Sequence, residues 1–263
     1  MRDLWSAIRT IAWLLACVLG CCAGCLAPET ARRLPVIHVA AASDLTPVFT
    51  ELGAKLEADG ELKAVFSFGS SGLLAKQIEQ GAPFDLFAAA NEVFIDRLRD
   101  QGLIIEESRQ VFAQGRLIIW QRQDTKVPAA SLKDLARPAL RRVAIANPEH
   151  APYGLAARQA LEHEGVWEAV RERIVFGENV VQAWQFAQTG NVEAAIVARS
   201  LASRDEGRSV EVDPGSHAPI NQTLAILRRS SSVAGCRQFL HLLNSPAGQS
   251  ILERYGFSIP ARR

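Results

Sequence analysis

Short apolar runs alternate with helical patterns along the first part of the chain. Apolar runs at residues 34–42, 62–68 and 84–90 predict three buried strands. Each run is followed by apolar residues at helical spacing, which predicts helices beginning near residues 45 and 73 and a third over residues 91–101. Strands that alternate with helices at this pace are typical of an α/β fold with a parallel sheet.

The same alternation restarts after residue 115. Strands are predicted at 116–120, 143–146, 194–198 and 222–227. Helices are predicted at 155–163, 179–188, 233–243 and 246–254. Two α/β units of this size indicate two lobes, with crossings near residues 115–121 and 218–224. The predicted division places 35–115 plus 222–260 in lobe 1 and 116–221 in lobe 2.

The N-terminus carries the one long apolar run, residues 10–25, behind Arg2 and Arg9. This is the pattern of a secretory signal, and the run is short for a transmembrane anchor. Four of the five cysteines lie at residues 17–25, and both VLGC (18–21) and CAGC (22–25) look like lipobox sequences. The prediction is a lipoprotein signal at residues 1–24, with Cys25 (or Cys21) as the acylated residue, followed by a tether at 25–34.

Composition excludes several classes of protein. The 263 residues include 29 Lys and Arg against 28 Asp and Glu, without the basic excess expected of a nucleic-acid binder. A hydrophobic content of 48% against 22% charged residues favours a packed core. No nucleotide-binding glycine motif and no G-x-S-x-G elbow is present, and the five histidines lack metal-ligand spacing.

Four segments of small or polar residues each precede a predicted helix. They are Ser43-Asp44, Gly69–Gly72, Pro152–Gly154 and Glu178–Val180, and none contains a basic residue. A helix N-terminus offers unpaired N–H groups and the positive end of its dipole. If these segments converge, they would form an anion site without Lys or Arg. The alternative is that each is an ordinary cap or turn.

The chain resembles the periplasmic molybdate-binding proteins of ABC importers over about residues 35–260. The segments that carry the resemblance are AAASDL (40–45), FSFGSSGLLAKQI (66–78), GAPFDLF (81–87), NPEHAPYG (147–154) and RYGF (254–257). The resemblance implies a type II periplasmic-binding-protein fold, in which two lobes are joined by two hinge crossings. It implies a non-enzymatic receptor without cofactor, and a monomer with no nucleic-acid partner.

The resemblance also implies the ligand and its contacts. Molybdate, and tungstate with it, would bind between the lobes and pass to an inner-membrane ABC permease. Ser43 and Ser71 match the two ligand-binding serines, whereas Tyr153 and Val180 match positions that use only the backbone N–H. The metal of molybdate would be held through its oxygens by these same residues. The location implied is the periplasm or the outer face of the cytoplasmic membrane, with a lipid anchor.

Two residues depart from the pattern of that family. Some members of the family place a tyrosine near the position of Ala198, and its hydroxyl bonds the anion. Alanine cannot supply that bond, so the sequence does not identify a fifth hydrogen-bond donor. Asp44 follows the first ligand serine, and a carboxylate facing a dianion would repel it. We therefore expect the Asp44 side chain to point away from the site and cap a helix.

Three other functions are compatible with parts of the sequence. A receptor for another oxyanion such as sulfate is the nearest. A serine hydrolase would use Ser71 or Ser43 with His150 as base, but no acidic residue is placed to orient His150. The sensing domain of a regulator is disfavoured by the signal segment and by the lack of a DNA-binding module.

Overall fold

The computed structural model describes residues 34–202 and 207–260. The predicted signal, Cys21 and Cys25, and all of the predicted tether except Leu34 lie outside this part of the chain. Within it, none of the helices is both long enough and apolar enough to cross a membrane.

In the part of the chain that the structure describes, ten strands form two five-stranded mixed sheets. The first sheet has the order β2-β1-β3-β10-β4, and the second has the order β7-β6-β8-β5-β9. The strands are β1 (Val36–Ala42), β2 (Lys63–Gly69), β3 (Leu86–Ala89), β4 (Gln110–Gly115), β5 (Leu117–Gln121), β6 (Val143–Ala146), β7 (Ile174–Gly177), β8 (Ala194–Ala198), β9 (Arg208–Glu211) and β10 (Ile220–Ile226). The central strands are buried, as continuous apolar runs require when helices cover both faces.

Eight α-helices flank these sheets in the described residues. They are α1 (Thr46–Ala58), α2 (Ser71–Glu79), α3 (Glu92–Asp100), α4 (Pro152–His163), α5 (Trp167–Val170), α6 (Val180–Gln188), α7 (Val233–Asn244) and α8 (Pro246–Arg254). A one-turn 3-10 helix at Ser43–Leu45 separates β1 from α1. Helices α1, α2, α4 and α6 all begin just beyond the carboxyl end of a strand, the edge of an α/β sheet where ligands bind.

The chain passes from one sheet to the other twice. It leaves the first sheet after β4 and returns to it through β10, which lies between β3 and β4 and is antiparallel to both. The second sheet has the same plan, because β5 lies between β8 and β9 and is antiparallel to both. In each sheet four strands therefore run in one direction, and only the strand that arrives from the other sheet runs against them. The sheets are mainly parallel, as predicted, and each is mixed through a single antiparallel strand.

Three strands are absent from the sequence prediction, namely β4, β7 and β9. All three are edge strands, and β9 consists largely of exposed residues. An edge strand lacks the continuous apolar run by which a buried strand is recognised.

The start of helix α4 also differs from the prediction, because the helix begins at Pro152 rather than at residue 155. The predicted lobe boundaries, between residues 115 and 116 and between residues 221 and 222, stay predictions. The second boundary falls inside a strand, because β10 begins at Ile220.

Candidate functional site

One small cavity brings together all four helix-preceding segments of the sequence. Its lining comes from both sheets: Ala42, Ser43, Asp44, Gly69, Ser70, Ser71 and Ala90 from the first, and Ala151, Pro152, Tyr153, Asn179 and Val180 from the second. The four residues predicted to bind a ligand are Ser43, Ser71, Tyr153 and Val180, and each is at most 5% exposed. They lie far apart in sequence and meet because α/β loops gather at the carboxyl edges of the sheets.

Ser43 begins the 3-10 turn directly after β1. The Ser43 carbonyl accepts a hydrogen bond from Thr46 Oγ1 at 2.7 Å, and Ser200 Oγ donates to the Asp44 carbonyl at 2.8 Å. These two bonds hold the turn through its carbonyl oxygens. Ser43 and Asp44 both line the cavity.

Asp44 does not cap a helix, so that part of the prediction is wrong. The turn has no side-chain cap, and Asp44 Oδ2 instead accepts a hydrogen bond of 2.7 Å from Gln222 Nε2 on β10. Burial raises the pKa of Asp44 to about 7. The capping prediction failed because it considered only local partners, whereas Gln222 is 178 positions away in sequence.

Ser71 is the first residue of α2, and its hydroxyl is oriented by the neighbouring strand. The Ala90 N–H, just past the end of β3, donates to Ser71 Oγ at 3.1 Å. A hydroxyl that accepts this bond still has its own proton to donate. Ser71 therefore presents an O–H donor, in addition to its position at a helix N-terminus.

Ser70 and Gly72, on either side of Ser71, contact the second half of the molecule. Ser70 Oγ donates to the His150 carbonyl at 2.5 Å and lies 2.8 Å from His150 Nδ1. The Gly72 N–H donates to the same carbonyl at 3.0 Å, and a Cβ at Gly72 would lie only 2.8 Å from that oxygen. His150 thus ties the loop before α4 to the start of α2, next to the cavity.

Tyr153 supplies a backbone N–H in the first turn of α4. Pro152, which has no N–H, occupies the first position of this helix, and no side chain caps it. The early N–H groups of a helix have no intrahelical acceptor. Gly154 allows the helix to begin so close to the sheet, because a Cβ there would lie 2.1 Å from the Ala146 carbonyl oxygen at the end of β6.

Val180 is the first residue of α6, and Asn179 caps that helix. Asn179 Oδ1 accepts from the N–H groups of Val181 and Gln182 at 3.0 and 3.1 Å. The cap therefore satisfies the second and third N–H groups of the helix and does not engage the first, that of Val180, which lines the cavity. The sequence prediction placed Asn179 at the start of the helix at 179–188 and in the segment before it, but did not identify it as the cap. An asparagine at the beginning of a helical pattern was the available signal.

The cavity offers hydrogen-bond donors and positive helix ends, with no basic side chain in its lining. Oriented N–H groups and hydroxyls of this kind bind anions. Ala198, fully buried at the end of β8, is not part of the lining and supplies no side-chain donor. In the described residues His150 Nδ1 contacts Ser70 rather than Ser71 or Ser43, and no carboxylate hydrogen-bonds its ring. This arrangement does not match the serine hydrolase that the sequence left open.

Known proteins share this architecture over most of the chain. The molybdate-binding protein ModA of Azotobacter vinelandii is 31% identical over 233 residues, covering 87% of this chain and 92% of that protein. ModA of Rhodobacter capsulatus is 30% identical over 258 residues, covering 98% and 99%. The solved periplasmic molybdate-binding protein of A. vinelandii superposes with a TM-score of 0.80 at 29% identity, covering 86% of this chain and all of that one.

These similarities confirm the resemblance to molybdate-binding proteins and the two-lobed fold that it implied. The family model for bacterial extracellular solute-binding proteins matches residues 37–258. The chain belongs to the bacterial extracellular solute-binding protein family.

Proposed function

We propose that this protein is the substrate-binding component of an ABC importer, which captures molybdate, and tungstate with it, and delivers it to a membrane permease. The observation that carries the proposal is the convergence of Ser43, Ser71, Tyr153 and Val180 on one cavity without basic side chains. The relatives named for molybdate binding support the choice of anion.

The donors suit a fully deprotonated tetrahedral dianion. Each of the four residues offers an N–H or O–H group, and such groups bind oxygens that carry no proton. Hydrogen phosphate carries a proton that needs an acceptor. The one carboxyl in the lining, that of Asp44, already accepts from Gln222 through Oδ2, so hydrogen phosphate fits this donor set less well. Sulfate meets the same chemical description as molybdate and is the alternative ligand.

Calorimetric titration with molybdate, tungstate, sulfate and phosphate tests the proposal. We expect molybdate and tungstate to bind far more tightly than phosphate at pH 7, and sulfate to compete poorly with molybdate. A parallel melting experiment should show stabilisation of about 2.7 kcal/mol at 100 times the dissociation constant. A melt shifted by sulfate and not by molybdate would assign the site to the other anion.

The protein acts by binding rather than by catalysis, and it needs no cofactor. The relatives are solute-binding proteins, and the cavity pairs no serine of its lining with an oriented base. An assay with a chromogenic ester tests this point. Turnover that disappears in Ser71→Ala would contradict it.

We also infer that the protein is exported and held at the outer face of the cytoplasmic membrane by a lipid on Cys25. The support is the run of apolar residues that ends in a cysteine cluster, at 17–25. Cys25→Ala should abolish labelling by a radioactive fatty acid and release the protein in soluble form. Labelling that persists in Cys25→Ala and disappears in Cys21→Ala would move the anchor to Cys21; labelling in neither wild type nor variants would reject it.

A further inference from the structure

A buried polar cluster of Asp44, Gln222 and Tyr153 lies beside the anion cavity. Asp44 comes from the turn after β1, Gln222 from β10 and Tyr153 from α4, so the cluster spans both halves of the molecule. Asp44 Oδ2 and Gln222 Nε2 are 2.7 Å apart. A Cβ at Gly115 would lie 2.0 Å from the Tyr153 hydroxyl and 3.2 Å from Gln222 Nε2, which places both groups around that glycine.

The cluster is almost completely removed from solvent and has more acceptors than donors. Asp44, Gln222 and Tyr153 are 1%, 0% and 2% exposed. Asp44 Oδ1, Gln222 Oε1 and the Tyr153 hydroxyl are buried and make no hydrogen bond of good geometry with any described residue. Tyr153 lies near enough to Asp44 to act as a weak donor, which offsets part of the rise that burial causes in the pKa of Asp44. An ionised carboxylate adds acceptors only, whereas a protonated carboxyl adds an O–H donor to this set.

Within residues 34–202 and 207–260, no basic side chain compensates a negative charge on Asp44. Tyr153 is the only titratable side chain of these residues that acts on the Asp44 carboxyl, and α6 and β10 carry no titratable residue. The titratable groups on the other elements that pack around the turn engage partners elsewhere or lie exposed: Glu51 with Arg254, Lys55 with Asp59, Lys63 with Glu57, Arg116 with Ser258, His150 with Ser70, Arg158 with Glu162, Arg199 with Glu211, and the exposed His38 and His163.

The burial of Asp44 and the lack of a compensating cation among the described residues both disfavour a charged carboxylate. Burial raises the pKa of Asp44 to about 7, and burial together with the charge of Asp44 raises the pKa of Tyr153. A dianion in the neighbouring cavity would add repulsion in the same direction, because Asp44 itself lines that cavity.

We propose, building on the anion-binding function proposed above, that Asp44 is a further functional residue of this site: its carboxyl is the neutral acid whenever the cavity holds a dianion. Each dianion captured at alkaline pH then brings one proton from solvent, which forms the O–H bond of the Asp44 carboxyl. Binding of the dianion and binding of this proton strengthen each other. The affinity for the dianion therefore falls as the pH rises above the pKa of Asp44 in the unliganded protein.

The test is calorimetric titration of the full chain with molybdate from pH 6 to pH 9, in pairs of buffers with different protonation enthalpies. Molybdate remains a dianion across this range, so a change in affinity reports on the protein. For wild type at pH 8 to 9 we expect uptake of close to one proton per anion, and a dissociation constant that rises about tenfold per pH unit. In Asp44→Asn the side chain keeps its shape but cannot titrate, so proton uptake and the slope should both vanish.

Matched variants separate this explanation from others. His150→Gln removes the titratable ring at the contact between the two halves, and it should keep the wild-type slope. A slope that disappears in His150→Gln and persists in Asp44→Asn would overturn the assignment. Wild-type binding without proton uptake at both pH 7 and pH 9 would also overturn it, even if Asp44→Asn failed to fold. No molybdate binding at any pH would instead reject the proposed function.

Discussion

At the residue scale, Ser71 combines two roles in one hydroxyl. Its oxygen accepts the Ala90 N–H, and its proton remains available for the anion. Ser71→Ala should therefore weaken molybdate binding by about 10- to 100-fold, since a hydrogen bond to a charged group contributes about 1.5–3 kcal/mol. It should also lower stability modestly, because the Ala90 N–H loses its acceptor. Titration calorimetry and thermal melts measure the two effects.

Ser67→Ala is the matched control for that substitution. Ser67 lies on the exposed side of β2, so Ser67→Ala removes the same hydroxyl group outside the cavity. We expect the Ser67→Ala variant to bind molybdate with wild-type affinity. Equal losses in the two variants would show that the effect of Ser71→Ala is not local to the site.

Val180 offers a backbone donor, so its side chain should matter to packing rather than to the ligand. It is 3% exposed, and truncation should cost about 1–2 kcal/mol of stability. The affinity of Val180→Ala for molybdate should stay within about threefold of wild type, because the N–H remains. A loss as large as that of Ser71→Ala would mean that the valine side chain positions the anion.

At the scale of single elements, the Asn179 cap of α6 determines which N–H groups at the start of the helix stay free of an acceptor beside the cavity. Asn179→Ala frees the N–H groups of Val181 and Gln182, which should lower stability by about 1 kcal/mol and loosen the first turn. We expect molybdate affinity to fall up to tenfold. Asn91 provides a matched control, because it caps α3 in the same way, through Val93 N–H, and does not line the cavity. Asn91→Ala should reproduce the loss of stability while leaving the affinity unchanged.

The elements also show how far the sequence determines the site. The four segments that build the cavity were recognisable because small and polar residues follow apolar runs, which is a local pattern. The edge strands β4, β7 and β9 were not recognisable, because a half-exposed strand shows little regular pattern of apolar residues. The partners of Asp44 and of His150 could not be predicted either, because Gln222 and Ser70 reach them only through the tertiary fold.

At the scale of the whole molecule, the contacts of His150 with Ser70 and Gly72 join the two halves over a buried cavity. The four candidate ligand residues of the cavity are at most 5% exposed. We therefore expect the two halves to separate when a ligand enters, so the unliganded protein should populate a more open form. Solution X-ray scattering should therefore give a smaller radius of gyration with saturating molybdate than without it. An identical profile in both states would indicate a rigid, preformed site.

The position of β10 has a consequence for the order in which the protein can fold. β10 is the strand that joins β3 to β4 in the first sheet, yet it lies more than a hundred residues after both in sequence. Until residues 220–226 have been synthesised, β4 has no neighbour and one edge of β3 stays open. Contacts this distant in sequence form slowly, because a long loop must close first. The N-terminal half of a growing chain thus cannot complete its first sheet early, and that sheet closes only when its last strand, β10, has been made.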